Sequence, residues 1–239
     1  SEGRARLCAV SDWLDRLRGM VRQHDRAPDT EQSRAVAAVL GERVVHASEP
    51  AWLDAVAATL GDAPVDPRSL EHLVVTLRAP GYYGDLADEE VAAHRAFWAR
   101  LAARHPGDAA VAAHHADVEL TLGDAGEAMH LFLAAFDRQP ELFFEMGWDL
   151  EDPAREAGGD LLFRWQLHLL RALIDSAADQ GDEGDWPREV YSELLDEHQG
   201  EPDRLAALQR LGEELRRLEA DGELPRAMVV RRRRRRDEG

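Results

Sequence analysis

Lysine and asparagine are absent from this 239-residue chain, Cys8 is its single cysteine and Ile174 its single isoleucine. All 29 basic residues are therefore arginine. That joint pattern looks like the codon bias of a GC-rich genome. Without lysine there is no Walker-type phosphate loop and no amine nucleophile for Schiff-base chemistry. With one cysteine there is no intrachain disulfide and no zinc site built on several thiolates, and the usage fits a reducing compartment. No apolar run approaches the roughly 20 residues of a membrane span. Ser1 to Arg6 are not followed by an apolar signal core. These features predict a soluble, cytoplasmic protein with no membrane partner. The chain opens on Ser1 rather than Met, as a fragment of a longer protein would.

Hydrophobic residues make up 44% and charged residues 32%, which is the balance of a folded globular chain. The net charge of −18 is unevenly spread. Residues 1–230 carry 23 arginines against 45 acids, or −22, and the tail carries +4. Such a body repels nucleic acid and anionic lipid over most of its surface. From Asp175 to Asp203 there are eleven acids against Arg188 alone.

Helical periodicity dominates, and strand-like alternation is nearly absent. A first amphipathic helix carries Trp13, Leu14, Leu17 and Val21. Thr30 is placed to cap a second helix running to about Leu40. Ser48-Glu49-Pro50 starts a third, to about Leu60, and Asp66-Pro67 a fourth, to about Arg78. Pro80-Gly81-Tyr82-Tyr83-Gly84-Asp85 reads as a loop. A long helix follows over 87–104, then two over 108–122 and 125–138, parted by Gly123-Asp124. Residues 141–151 are aromatic-rich and suit a short helix. Gly158-Gly159 leads into a helix over 161–174 that is apolar almost all round, as in helices buried between neighbours. An acidic loop over 175–186 precedes helices over 187–198 and 202–220.

Pro106 and Pro140 stand 34 residues apart. Counting back from Pro140 puts Ala116 at a small-residue position, Gly123 at the turn, Ala128, Phe132 and Ala135 at small, large and small positions, and Pro140 at the end. This stretch resembles a tetratricopeptide repeat. Ala112, His115 and Glu119 depart from the family's large residue, leucine and tyrosine. His94, Trp98 and Leu101 before Pro106 form a degenerate half repeat. The resemblance covers roughly 90–140 and implies an all-α fold: antiparallel helix pairs stacked as a short solenoid, with a capping helix and a disordered basic tail. The expected division is a helical domain over 1–225, with an N-terminal helical segment over 1–85 and a repeat-like segment over 86–225, then a tail over 226–239. A generic helical bundle would carry the same helix signals. Leu208, Leu211, Leu215 and Leu218 form a short heptad row, suited to a cap over the last pair or to a dimerising coiled coil.

The resemblance also implies a binding face. In its register His115 points into the helix pair, whereas His114, Asp117 and Thr121 line the inner face where such proteins hold ligands. Tyr82 and Tyr83 are further partner-contact candidates, since exposed tyrosines favour interfaces. His114, His115, Asp117 and Glu119 are the densest group of potential metal ligands, but no third ligand is placed by spacing, and structural histidines account for them better. Asp179, Asp182, Glu183 and Asp185 lack the spacing of a calcium loop and read as a solvated linker. Arg231, Arg232, Arg233, Arg234, Arg235 and Arg236 can bind phosphates, address an acidic protein, or fold back on the acids of 175–203; no aromatic residues are interleaved to stack on bases. There is no Gly-x-Ser-x-Gly elbow and no spaced Cys–His dyad. No catalytic, metal or cofactor site is assigned. The expected function is a non-enzymatic interaction module or adaptor that binds a basic peptide or protein in an acidic groove. A nucleic-acid-associated protein acting through the arginines is the second reading, and an enzyme with an unrecognised site the third.

Overall fold

The computed structural model describes residues 29–41, 50–83, 86–180 and 186–221. The first helix expected around Trp13 to Val21, the Ser48 cap and the tail Arg231 to Arg236 lie outside them. The fold is all-α, with ten α-helices and no strand among the described residues. They are α1 (Glu31–Gly41), α2 (Pro50–Leu60), α3 (Pro67–Tyr83), α4 (Asp88–Arg104), α5 (Ala109–Leu122), α6 (Ala125–Arg138), α7 (Glu151–Ala157), α8 (Gly159–Gln180), α9 (Trp186–Glu197) and α10 (Pro202–Asp221).

Short polar side chains set the helix starts. The Thr30 hydroxyl accepts the Ser33 N–H at 2.9 Å, and Ser33 Oγ accepts the Thr30 N–H at 2.8 Å, so two orphan donors are satisfied reciprocally. Asp66 Oδ1 accepts the N–H groups of Arg68 and Ser69, and its Oδ2 accepts the hydroxyls of Ser69 and Thr30. One carboxylate thus caps α3 and fastens it to the start of α1. Asp108 accepts from Val111 N at 3.0 Å and Asp124 from Glu127 N at 2.7 Å, which start α5 and α6. Arginine closes other ends: Arg104 donates to the carbonyls of Ala57 and Gly61 at the end of α2 and stands 3.6 Å from Asp62.

Contacts divide the described chain into two compact units, with the boundary between Trp165 and Gln166, inside α8. In the first unit α1 packs on α2 and α3, α2 on α4, α3 on α5, α4 on α5, and α5 closely on α6. Leu40, Leu53, Val56, Leu73, Leu77, Phe97, Trp98 and Val111 form one buried cluster across α1 to α5. Each such side chain contributes roughly 1.5–3 kcal/mol by leaving water. Beyond α6 the backbone widens into a π turn, Phe143–Gly147, then tightens into a 3-10 turn, Trp148–Leu150. Phe143 packs against Phe136 (5.4 Å between ring centroids), Trp148 (5.4 Å) and Trp165 (6.3 Å). The Trp165 indole N–H donates to the Gly147 carbonyl at 2.9 Å.

In the second unit α9 packs on α10. Leu208 and Leu215 are buried, and Leu211 and Leu218 half-buried. Gly212 lies so close to the Tyr191 ring that a Cβ would collide with it. Half of the leucine row is thus consumed within this unit.

Two sequence expectations are corrected. The backbone over 80–83 is not a loop but the last turn of α3. Proline there costs only the hydrogen bond to the Thr76 carbonyl, which a helix end tolerates. The acidic loop expected over 175–186 begins later, because α8 continues to Gln180. Asp175 pairs with Arg171 one turn back at 3.2 Å, and Ser176 is buried, so the helix has reason to go on.

Candidate functional site

Helix α5 carries two different polar faces. His114, Asp117 and Thr121 share one, at helical spacing. The His114 ring lies 5.9 Å from that of Trp98 on α4, tilted by 45°. Asp117 is half-buried. Thr121 is exposed and its hydroxyl donates back to the Asp117 carbonyl at 2.9 Å. The fold therefore places these three together on one helix.

The other face holds His115 and Glu119. Arg95 from α4 grips Glu119, with Nη2 at 2.7 Å from Oε2 and Nε at 3.1 and 3.2 Å from the two oxygens. The Glu119 side chain is 8% exposed and that of Arg95 43%, so the pair runs from the interior to water. Hydrogen bonding and charge attraction from Glu119 raise the guanidinium of Arg95 further above its ordinary range. His115 Nε2 stands 3.8 Å from Glu119 Oε1. Burial, reinforced by Arg95, holds the His115 ring below its ordinary value against the opposing pull of Glu119 and Glu127. Gly123 closes this corner, where a Cβ would collide with Glu119 Oε2.

Behind both faces, α4 buries His94 and Trp98, each 2% exposed. Burial lowers the His94 pKa, and a hydrogen bond to the Leu77 backbone opposes it. Among the described residues, His94 Nδ1 and the Trp98 indole N–H have no hydrogen-bond partner.

No family model, curated protein or solved structure matches this chain. What the site can do follows from its own groups. Asp117 and Thr121 carry oxygen acceptors and His114 an aromatic ring on one face, whereas Asp124 and Glu127 at the start of α6 act on Arg95 and His115 of the other. Among the described residues, no three His, Cys, Asp or Glu side chains cluster to hold a metal ion. Nor is any described helix long and apolar enough to cross a membrane.

The other residues singled out by sequence fall wholly or partly outside the described side chains. Tyr82 and Tyr83 end α3, and their side chains lie outside the described residues. Asp179 falls in the last turn of α8, while Asp182, Glu183 and Asp185 lie outside, as do Arg231 to Arg236. Sequence reasoning missed the Arg95–Glu119 pair. The one available signal was glutamate at the position where the repeat family has tyrosine, since a buried acid requires a cation.

Proposed function

We propose that the chain is a non-enzymatic interaction module: a short stack of tetratricopeptide-like helix pairs over α1 to α6, with the His114, Asp117 and Thr121 face of α5 receiving a basic peptide or protein segment. The packing order carries this reading. Each of α1, α2 and α3 packs on the helix after next (α3, α4 and α5), which supports a layered stacking of helices. The acid surplus of the body selects a cationic partner and repels polyanions.

The test is a calorimetric and NMR titration with an arginine-rich peptide, with an acidic peptide of equal length as control. Binding of the basic peptide should perturb α5 resonances and weaken with salt. Asp117→Arg should weaken it at least tenfold, about 1.4 kcal/mol. Binding unchanged by Asp117→Arg, or no binding at all, refutes the reading.

The run Arg231 to Arg236 supports a second reading, a nucleic-acid contact through the tail. If all six arginines engage phosphates, log K should fall with log salt at a slope of up to about −5 on duplex DNA. Deleting 231–239 should abolish this binding and leave peptide binding intact. Undiminished binding after the deletion refutes it.

A further inference from the structure

Helix α4 buries two polar atoms that the described residues leave without a hydrogen-bond partner, one helical turn apart on one face. They are His94 Nδ1 and the Trp98 indole N–H, on side chains each 2% exposed. Three helices meet around them. The His94 ring bonds the backbone of Leu77 on α3. The Trp98 ring lies 5.9 Å from that of His114 on α5. Helix α5 packs on both α3 and α4. One turn before His114, α5 presents Ala110 to the same buried cluster, a methyl group where a larger side chain would close the gap between helices.

Each orphaned atom has a definite sense. An indole nitrogen carries a proton and only donates. The bond to Leu77 favours the charged form of the His94 ring, so a ring N–H donates to the Leu77 carbonyl. Nδ1 is the unpartnered nitrogen, so that donor is Nε2. Burial holds the ring below its ordinary pKa, so at pH 7 it keeps one proton, the one on Nε2. Nδ1 therefore presents a lone pair and only accepts. A buried donor and a buried acceptor thus stand one turn apart without bonding each other. Leaving both unmade is costly, and native proteins resolve such pairs with an ordered water where no side chain reaches.

We propose that the junction of α3, α4 and α5 is a binding site for one internal water molecule, which accepts from the Trp98 indole and donates to His94 Nδ1. A hydroxyl is the class of group that answers both atoms at once. A metal cation could answer only the imidazole, and a halide only the indole. The water links α4 to α3 through the His94 ring and sits against the Trp98 ring that His114 touches. It makes no use of Asp117 or Thr121, so it stands or falls apart from peptide binding.

The experiment is water-selective NMR of the full chain at pH 7, with the Trp98 indole N–H assigned by its loss in Trp98→Phe. A water held at this site gives the indole proton NOE and ROE cross-peaks of opposite sign, which separates a bound molecule from simple proton exchange. Long-range proton–nitrogen spectra should show His94, assigned by its loss in His94→Leu, protonated at Nε2 alone, with Nδ1 shifted toward the position of a hydrogen-bonded acceptor. His94→Leu removes the acceptor and should abolish the indole–water NOE in a folded protein. Should that variant fail to fold, the wild-type spectra still decide. A water NOE that persists in His94→Leu, an upfield indole proton with no water NOE (donation to the face of the His114 ring), or a proton on His94 Nδ1 overturns the proposal.

Discussion

Adding one methyl group at Gly147 tests the aromatic turn that follows α6. Gly147 is buried, and a Cβ there would collide with the Phe143 ring. That ring cannot retreat freely, because Phe136, Trp148 and Trp165 hold it at centroid distances of 5.4, 5.4 and 6.3 Å. Backbone movement is checked too, since the Gly147 carbonyl accepts the Trp165 indole N–H. Overpacking of this kind costs about 1–3 kcal/mol. Alanine recovers up to about 1 kcal/mol of helix propensity over glycine. With the full gain subtracted, the net cost of Gly147→Ala should be about 0–2 kcal/mol, above that of the control. The control is Gly41→Ala at the end of α1, where a Cβ meets nothing within 4 Å. It should be neutral or slightly stabilising. Urea unfolding followed by tryptophan fluorescence measures both, with ΔG taken from midpoint and slope. If Gly147→Ala proves as stable as Gly41→Ala, the rings around Phe143 have room to yield and the tight packing inferred from their spacing is wrong.

Two further substitutions probe charge. Arg95→Ala strands the buried Glu119 carboxylate and should cost about 1–3 kcal/mol in chemical unfolding; it also removes one of the influences that lower His115, so His115 should titrate at higher pH by NMR. A wild-type His115 midpoint in Arg95→Ala would refute that coupling. Burial pushes the Asp66 carboxyl up, but hydrogen bonds from Ser69, Thr30 and Arg68 outweigh it and hold the group below the ordinary carboxylate range. Its contribution is thus present above about pH 3.9, the unfolded value, and is lost as pH falls through the lower folded value. Asp66→Asn should cost about 1 kcal/mol at pH 7 and flatten the acid side of the stability curve, and an unchanged curve would count against the capping role.

Helix starts were the legible part of this fold. Thr30, Asp66-Pro67, Asp108 and Asp124 act within three residues of themselves, so a local pattern reveals them. Helix ends were less so: Pro80 looked like a stop, yet in a last turn it forfeits only one bond, and Ser176 gave no hint that burial carries α8 onward. The face of His114, Asp117 and Thr121 needed only helical spacing. The partner of Glu119 did not show, because Arg95 lies 24 residues from it. No periodicity links such pairs; only packing brings them together. The π turn was hidden for a related reason, since its geometry answers to Phe136 and Trp165 on other elements.

The arginine that closes α2 has a chemical consequence. Arg104 donates from a single nitrogen, Nη1, to two backbone carbonyls at 3.4 and 3.2 Å, while its Nε stands 3.6 Å from Asp62. Reagents that seek side-chain amines find none on which to act. Acylation and amine crosslinking leave every one of these helix-end fastenings in place.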